Sequence, residues 1–421
     1  MKKTRRFLCL LLTLVLALSL CAIPAAAADT QTRSDDPVVF VHGLFGWGQR
    51  DKIFSIMPYW GMTTGSLPDY LATQGYETYA ASVGPLSSAW DRACELYAQL
   101  VGARTDYGVK HAQDFGHERY GIDYETPLFE GWGTQRAVNL VGHSFGGATT
   151  RLFLEILTNG CPEEVAAAKA AGVEPSPFFL GGKGSWVHSL TAIAAPHNGT
   201  TFIEANSDFT KLAANLATDA AKALGLSSLK GVYDFQLDQF GIRKDDNETF
   251  AQALDRVLRS DFLSHNDNAF LDLTIDKSLE INKGIEIQPN VYYFSYAGDQ
   301  TSTDPLTGNH YPTVSAIPSN GMSALMMPGS INMGKYYDKY TAGGIYIDRS
   351  WLPNDGLVNT YSAMAPIGAP AKEFDASNIT TGIWNVMPVQ KGDHTTLQGG
   401  MNDSFNGRLF FVDLLTMINT L

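Results

Sequence analysis

The run Ala137-Val138-Asn139-Leu140-Val141-Gly142-His143-Ser144-Phe145-Gly146-Gly147-Ala148 passes from apolar residues into a glycine-flanked serine and out again. Ala137 to Val141 predicts a strand buried on both faces. Ala148 to Leu157 predicts a helix, stopped by Asn159-Gly160. A serine on the turn between them matches a nucleophile elbow, where the chain reverses so tightly that larger neighbours would collide. Small residues at Gly142 and Gly146 let strand and helix close together while Ser144 projects its hydroxyl. In a chain with 40 glycines the bare Gly-x-Ser-x-Gly spacing is an ordinary coincidence, and the flanking strand and helix give it meaning.

Working outward, Val38 to Val41, Val187 to Ile193 and Val291 to Tyr296 are further short apolar or aromatic runs that predict buried strands. A terminal helix is expected from Leu409 to Ile418. Strands alternating with helices predict a mostly parallel central sheet flanked by helices, the α/β-hydrolase class of fold. No repeat or low-complexity linker divides the chain, so residues 29–421 are read as one catalytic domain with two insertions. One spans 84–132 and is rich in Tyr, Gly and His. The other spans 200–243 and carries an amphipathic helix with Leu212, Leu216, Ala220, Ala223 and Leu224 on one face. Such a stripe alone more often faces a core, but its position after a candidate active-site loop makes a helical lid the reading to test.

A serine hydroxyl needs a base to take its proton and a carboxylate to orient that base. In this fold the acid and then the histidine follow the serine in sequence. Asp355 in Asn354-Asp355-Gly356 and His394 in Gly392-Asp393-His394 satisfy that order. Asn-Asp-Gly is also ordinary turn chemistry, and His394 gains support from its late loop before the terminal helix. His143, beside the serine, is expected to point elsewhere. The oxyanion needs two donors. The backbone N–H of Phe145 is one candidate, and that of Leu44 is the other, in the glycine-rich His42-Gly43-Leu44-Phe45-Gly46-Trp47-Gly48 after the first strand.

The amino terminus, Met-Lys-Lys-Thr-Arg-Arg followed by an apolar stretch from Phe7 to Ile23 and alanines to Ala28, predicts an export signal over residues 1–28. Its removal takes the formal charge from −13 to −17, because the signal holds four basic and no acidic residues. A mature chain of that charge is expected to be extracellular, with no nucleic acid partner and no stable membrane anchor. Cys94 and Cys161 then remain as the only cysteines, and a chain of about 390 residues can bury a core without joining them.

Several longer segments carry a resemblance. They are His42-Gly43 through Trp47, Val83 to Ser88, Trp90 to Glu95, Ala195 to Thr201, Tyr233 to Gln239 and Asn354 to Asn359. Through them the chain resembles the secreted true lipases of the thermoalkalophilic Bacillus and staphylococcal group, across nearly all of its mature length. The resemblance implies the triad Ser144, Asp355 and His394 with Leu44 and Phe145 as oxyanion donors. It also implies a zinc ion held by Asp91, His111, His117 and Asp238. Four protein ligands leave no open position, so that zinc would be structural and would tie the 84–132 insertion to the base of the lid. The family's calcium site transfers poorly. Gly321 matches a position offering a carbonyl, but Thr396 stands where a glutamate is expected, and only Asp403 remains nearby. Calcium is therefore expected to be absent or weak.

Together these features predict a secreted hydrolase of carboxylic esters, with acylglycerols presented at an oil–water interface as the substrates the resemblance implies. A carboxylesterase or polyesterase acting on short or synthetic esters is the alternative within enzymes. A non-catalytic lipid-binding protein is the alternative outside them, and it has no reason to keep Ser144, Asp355 and His394 together.

Overall fold

The computed structural model describes residues 36–206, 208–315, 320–400 and 405–421. The expected export signal lies outside the described residues. Seven strands form the central sheet: β1 (Val38–Val41), β2 (Thr78–Ala81), β3 (Val138–His143), β4 (Val187–Ile193), β5 (Tyr292–Tyr296), β6 (Ala371–Glu373) and β7 (Trp384–Val386). Their order is β6-β7-β5-β4-β3-β1-β2, and every neighbouring pair is parallel. The expected strand at 137–141 begins one residue later and continues through His143, so the elbow starts directly from the end of β3.

Parallel strands joined by crossovers are covered on both faces, and β1 and β3 are buried along their whole length. On one side Val39, Val41, Leu140 and Leu190 pack with Phe153 and Leu157. On the other, Phe40 meets Trp60 and Phe411 with ring centroids 4.8 and 5.6 Å away. Burying each large apolar side chain stabilises by roughly 1.5–3 kcal/mol, so these layers fix where the carboxyl ends of the strands lie.

Six helices position the site or its surroundings: α1 (Ala89–Val101), α2 (Val109–Phe115), α3 (Phe145–Asn159), α4 (Phe209–Ala223), α5 (Phe250–Arg259) and α6 (Gly407–Ile418). Ser88 caps α1 by accepting from the Asp91 N–H, and Gly102 ends it with φ 68°. The insertion between β2 and β3 holds α1, α2 and an antiparallel pair, Arg104–Asp106 with Tyr120–Asp123. The expected lid segment contains α4. Residues 36–412 form one compact unit. Cys94 and Cys161 are both free thiols. Among the described residues no helix is long and apolar enough to cross a membrane.

Candidate active site and metal centre

Ser144 sits at φ 55°, ψ −129°, a strained backbone for a residue with a side chain. The surroundings impose it. A Cβ on Gly142 would lie 2.5 Å from the Gly146 carbonyl, and one on Gly146 would lie 2.1 Å from the Val41 carbonyl. Helix and sheet therefore meet backbone to backbone, and the serine is pushed out at the top. His394 Nε2 lies 2.8 Å from Ser144 Oγ, and its Nδ1 lies 2.8 Å from Asp355 Oδ2. The other Asp355 oxygen accepts the N–H groups of Leu357 at 3.0 Å and Val358 at 2.8 Å. Both oxygens of the aspartate thus have donors, and the carboxylate is fixed in direction. All three residues are buried, and Ser144, the most open, is 8% exposed. The carboxylate, the imidazole and the serine are in the hydrogen-bonded sequence that lets a serine hydroxyl give up its proton as it attacks.

Most N–H groups around the serine already have acceptors. In the loop after β1 the Gly43 N–H donates to Tyr59 Oη at 3.1 Å, and the Phe45 N–H donates to the Pro85 carbonyl at 3.1 Å, with Phe45 at φ 56°. Between them the Leu44 N–H has no protein acceptor among the described residues, and Leu44 lines the cavity over Ser144. Phe145 opens α3, so its N–H is one of the first-turn donors that no helical carbonyl can satisfy. Both N–H groups expected from the sequence as donors are thus without a protein acceptor among the described residues.

Arg92 was not expected at this site. Its buried guanidinium donates to the Gly84 carbonyl at 2.9 Å, to Thr149 Oγ1 at 2.8 Å and to the His42 carbonyl, and it lies 5.1 Å from the centre of the Phe145 ring. One side chain therefore ties the β1 loop, the loop after β2 and the nucleophile helix together. Burial lowers its pKa to about 10, which leaves it cationic at neutral pH. An arginine early in a helix ordinarily reads as solvent-facing. The available signal was Asp91, Arg92, Glu95 and Gln99 set into an otherwise apolar α1.

Over the serine lies a cavity of about 1420 Å³, counting the space at its mouth. Leu216, Ala220 and Leu224 of the expected apolar stripe line it, together with Phe209, Ala213 and Ala217. Leu212 and Ala223 do not. The segment therefore presents alanines interleaved with Phe209, Leu216 and Leu224 to the cavity over the serine.

A second group of ligand-type side chains forms beneath α1. Asp91, His111, His117 and Asp267 each offer one atom, all within 4.8 Å of one another. His111 Nε2 lies 3.2 Å from Asp91 Oδ1 and 3.1 Å from Asp267 Oδ2. His117 Nε2 lies 4.0 and 3.3 Å from the same two oxygens. Asp91 Oδ1 and His117 Nε2 are buried without hydrogen-bond partners, and such orphans are costly unless something else occupies the space between them. His117 Nδ1 donates to the Glu118 carbonyl at 2.9 Å, which leaves Nε2 as the ligating nitrogen. Burial opposes charge on His111, but the hydrogen bond to Asp267 and the adjacent Asp91 carboxylate outweigh it and raise its pKa to about 10. The buried group can hold a metal ion.

The fourth member corrects the expectation, because it is Asp267 and not Asp238. Asp238 begins a short turn of 3-10 helix, with its side chain 46% exposed and 3.9 Å from Arg243. The next residue, Gln239, reaches the group instead, and its Nε2 donates to Asp91 Oδ2 at 2.9 Å. The Tyr233 to Gln239 segment thus supports the centre from outside. Asp267 comes from the polar turn Ser264 to Asn268, just before Asn268 caps the next helix. At the expected calcium site, Thr396 hydrogen-bonds Asp393 Oδ1 through its hydroxyl. Gly321 packs 3.0 Å from the Thr313 carbonyl, measured from the Cβ position it lacks. Asp403 lies outside the described residues.

A family model described as "Lipase-like, C-terminal domain" matches residues 34–408. A lipase of Staphylococcus hyicus is 35% identical over 405 residues, covering 95% of this chain and 59% of that protein. The chain spans about half the length of the curated relatives it matches, 51% for a lipase of Staphylococcus epidermidis. Among solved structures, EstA from Clostridium botulinum aligns with a TM-score of 0.83 at 33% identity, covering 92% of this chain and 88% of that one. Lipase 1 from Pelosinus fermentans aligns at 0.80 and 35% identity, covering 92% and 99%.

Proposed function

The chain belongs to the family of lipase-like C-terminal domains, and from this and the hydrogen-bonded order Asp355, His394, Ser144 we propose that it is a serine hydrolase of carboxylic esters, acting on acylglycerols. The observation that carries the reading is the pair of 2.8 Å contacts on His394, one to Ser144 and one to Asp355, beneath a cavity lined mainly by apolar side chains.

In the reaction His394 takes the Ser144 proton as Oγ attacks the ester carbonyl. The Leu44 and Phe145 N–H groups receive the oxyanion, and such preorganised donors are worth several kcal/mol of barrier in a site sealed from water. Asp355 keeps its charge and steadies the imidazolium through Nδ1. His394 then gives its proton to the leaving alcohol. In the second half it takes a proton from water, which attacks the acyl-enzyme and returns free Ser144. The acyl chain lies along Leu216 and Ala220 of α4 and Leu224 at its end, and this helix acts as the lid and opens at a lipid surface.

Asp91, His111, His117 and Asp267 would hold zinc. Two imidazole nitrogens and two carboxylate oxygens are a zinc donor set, and bonds of about 2.0–2.1 Å imply separations near 3.3 Å between tetrahedral ligands, matching three of the four distances here. Four protein ligands would leave no vacant position, so these residues would use a bound zinc as a cross-link rather than for chemistry, joining α1, the α2 segment and the turn at 264–268. The basic and apolar first residues and the acidic remainder fit export.

Ser144→Ala tests the reading. Emulsified long-chain triglyceride and dissolved short-chain esters should both lose turnover by about 10⁴- to 10⁶-fold with unfolding unchanged. Retained turnover overturns the assignment.

A further inference from the structure

His143 precedes the serine, yet its ring is engaged on both sides. Its Nε2 lies 2.9 Å from the main-chain carbonyl of His394, and its Nδ1 lies 2.6 Å from Tyr59 Oη. The same Tyr59 oxygen accepts the Gly43 N–H. A carbonyl can only accept, so Nε2 carries the proton. In a neutral ring Nδ1 must then accept, so Tyr59 donates its O–H to it and keeps lone pairs for Gly43. Every donor in the chain has an acceptor, and the sequence of bonds runs in one direction from the β1 loop to the loop of His394. Burial, with the neighbouring His394 adding to it, pushes His143 well below the usual histidine range and keeps it neutral. A neutral ring 4.9 Å from that of His394 adds no repulsion when His394 becomes cationic.

Each end of this chain of bonds meets a loop at the atom that matters. The Gly43 N–H and the Phe45 N–H are both tied down, and this fixes the peptide that presents the Leu44 N–H. At the other end, His394 donates its own N–H to the Asp355 carbonyl at 2.8 Å, so its carbonyl is the free side of the backbone until His143 holds it. Neither loop is a helix or strand, and among the described residues no ladder bonds them to each other.

We propose that Tyr59 and His143 are positioning residues forming a relay that sets the oxyanion loop against the loop of the general base. This rests on the serine hydrolase reading above. Tyr59→Phe keeps the ring against Trp47 and His42 and deletes only the oxygen. It should lower kcat on a dissolved short-chain ester by about 10- to 100-fold, the scale of a small misplacement of catalytic groups, with KM within about twofold. The rate at which a fluorophosphonate labels Ser144 should fall in parallel. His143→Gln supplies an N–H and an oxygen in similar places and should retain more activity than His143→Leu. Adding Tyr59→Phe to His143→Leu should cost little more, because both cut one relay. A Tyr59→Phe enzyme with native kcat, or losses that simply add, overturns the proposal. The native protein gives an independent reading by imidazole ¹⁵N spectroscopy, where His143 should carry its proton on Nε2; a proton on Nδ1 overturns it even if every variant fails to fold. If the native protein cleaves no ester, the functional reading fails separately, and the tautomer alone decides the relay.

Discussion

Asp267→Asn should weaken the metal centre enough to lose its ion on dialysis, and Asp238→Asn should leave it intact. Asp267 Oδ2 stands 3.1 Å from His111 Nε2 and 3.3 Å from His117 Nε2, so the change replaces one of four donors by a neutral amide and removes half of the group's negative charge. Altering a residue that merely orients a ligand costs about 10- to 100-fold in affinity, so losing the ligand itself should cost at least about 100-fold. At a fixed free zinc concentration above both dissociation constants, that factor removes about 2.7 kcal/mol of stability. An unfolding entropy of about 2.1 cal/mol/K per residue over residues 36–412 gives a slope of about 0.8 kcal/mol/K. The midpoint should therefore drop by about 3 °C. Asp238, half exposed and facing Arg243, should shift it by less than about 1 °C. Elemental analysis of dialysed protein and competition with a chromophoric chelator give stoichiometry and affinity, and calorimetry at fixed zinc gives the midpoint. Native protein should retain one zinc per chain. Retention of zinc by Asp267→Asn, with its loss from Asp238→Asn, would refute the assignment of ligands, and metal-free native protein would refute zinc altogether.

Three further outcomes follow from the packing and charges. Gly147→Ala places a Cβ 2.4 Å from Ala195 Cβ, and overpacking of that kind should cost about 1–3 kcal/mol in denaturant unfolding; an unshifted midpoint contradicts the close approach of α3 to the end of β4. Leu216→Asp puts a charge on the cavity side of α4 and should depress turnover of emulsified long-chain glyceride at least about tenfold more than turnover of a dissolved short ester. Equal losses would argue against a lid. Burial raises the Asp272 carboxyl to about 7, with the Ala89 N–H, Lys277 and His111 opposing and Asp267 adding to it. The folded state therefore holds a proton that the unfolded chain, with a pKa near about 3.9, has released. Stability should fall as pH rises from about 4 to about 7 and then level off. Asp272→Asn can still accept from Ala89 and should flatten that part of the profile of midpoint against pH, and an unchanged slope would remove Asp272 as its source.

The sheet was legible where both faces are buried. Val38–Val41 and Val187–Ile193 match the expected strands to the residue: the first is a continuous apolar run, and the second is rich in apolar and β-branched residues over an almost wholly buried stretch. Thr78–Ala81 at one edge and Ala371–Glu373 at the other were not, since half-covered strands of three or four residues carry Thr, Lys and Glu like any loop. The hydrogen-bonded trio of Ser144, His394 and Asp355 was legible because the chemistry proposed for it restricts both residue type and order. Three of the metal-group residues came from the resemblance. The fourth was misplaced because Asp238 lies in a matching motif whose actual contact is made by Gln239, while Asp267 sits in a turn with no sequence mark of its own. Arg92 and His143 were hidden for a common reason. A buried polar side chain is recognisable only by its partners, and theirs lie between 8 and 251 residues away.

Asp91 and Arg92 occupy the first turn of α1 as consecutive residues, one turned to the metal group and the other to the loops around the serine. Successive helical positions differ by about 100°, so this pair works as a two-sided key cut to a single register. A one-residue insertion or deletion between Ser88 and Asp91 would rotate both teeth out of their locks together. Length changes that the neighbouring loops can absorb are closed to this segment. In any collection of natural or shuffled variants, the spacing from Ser88 to Glu95 should stay fixed even where the identities between them drift.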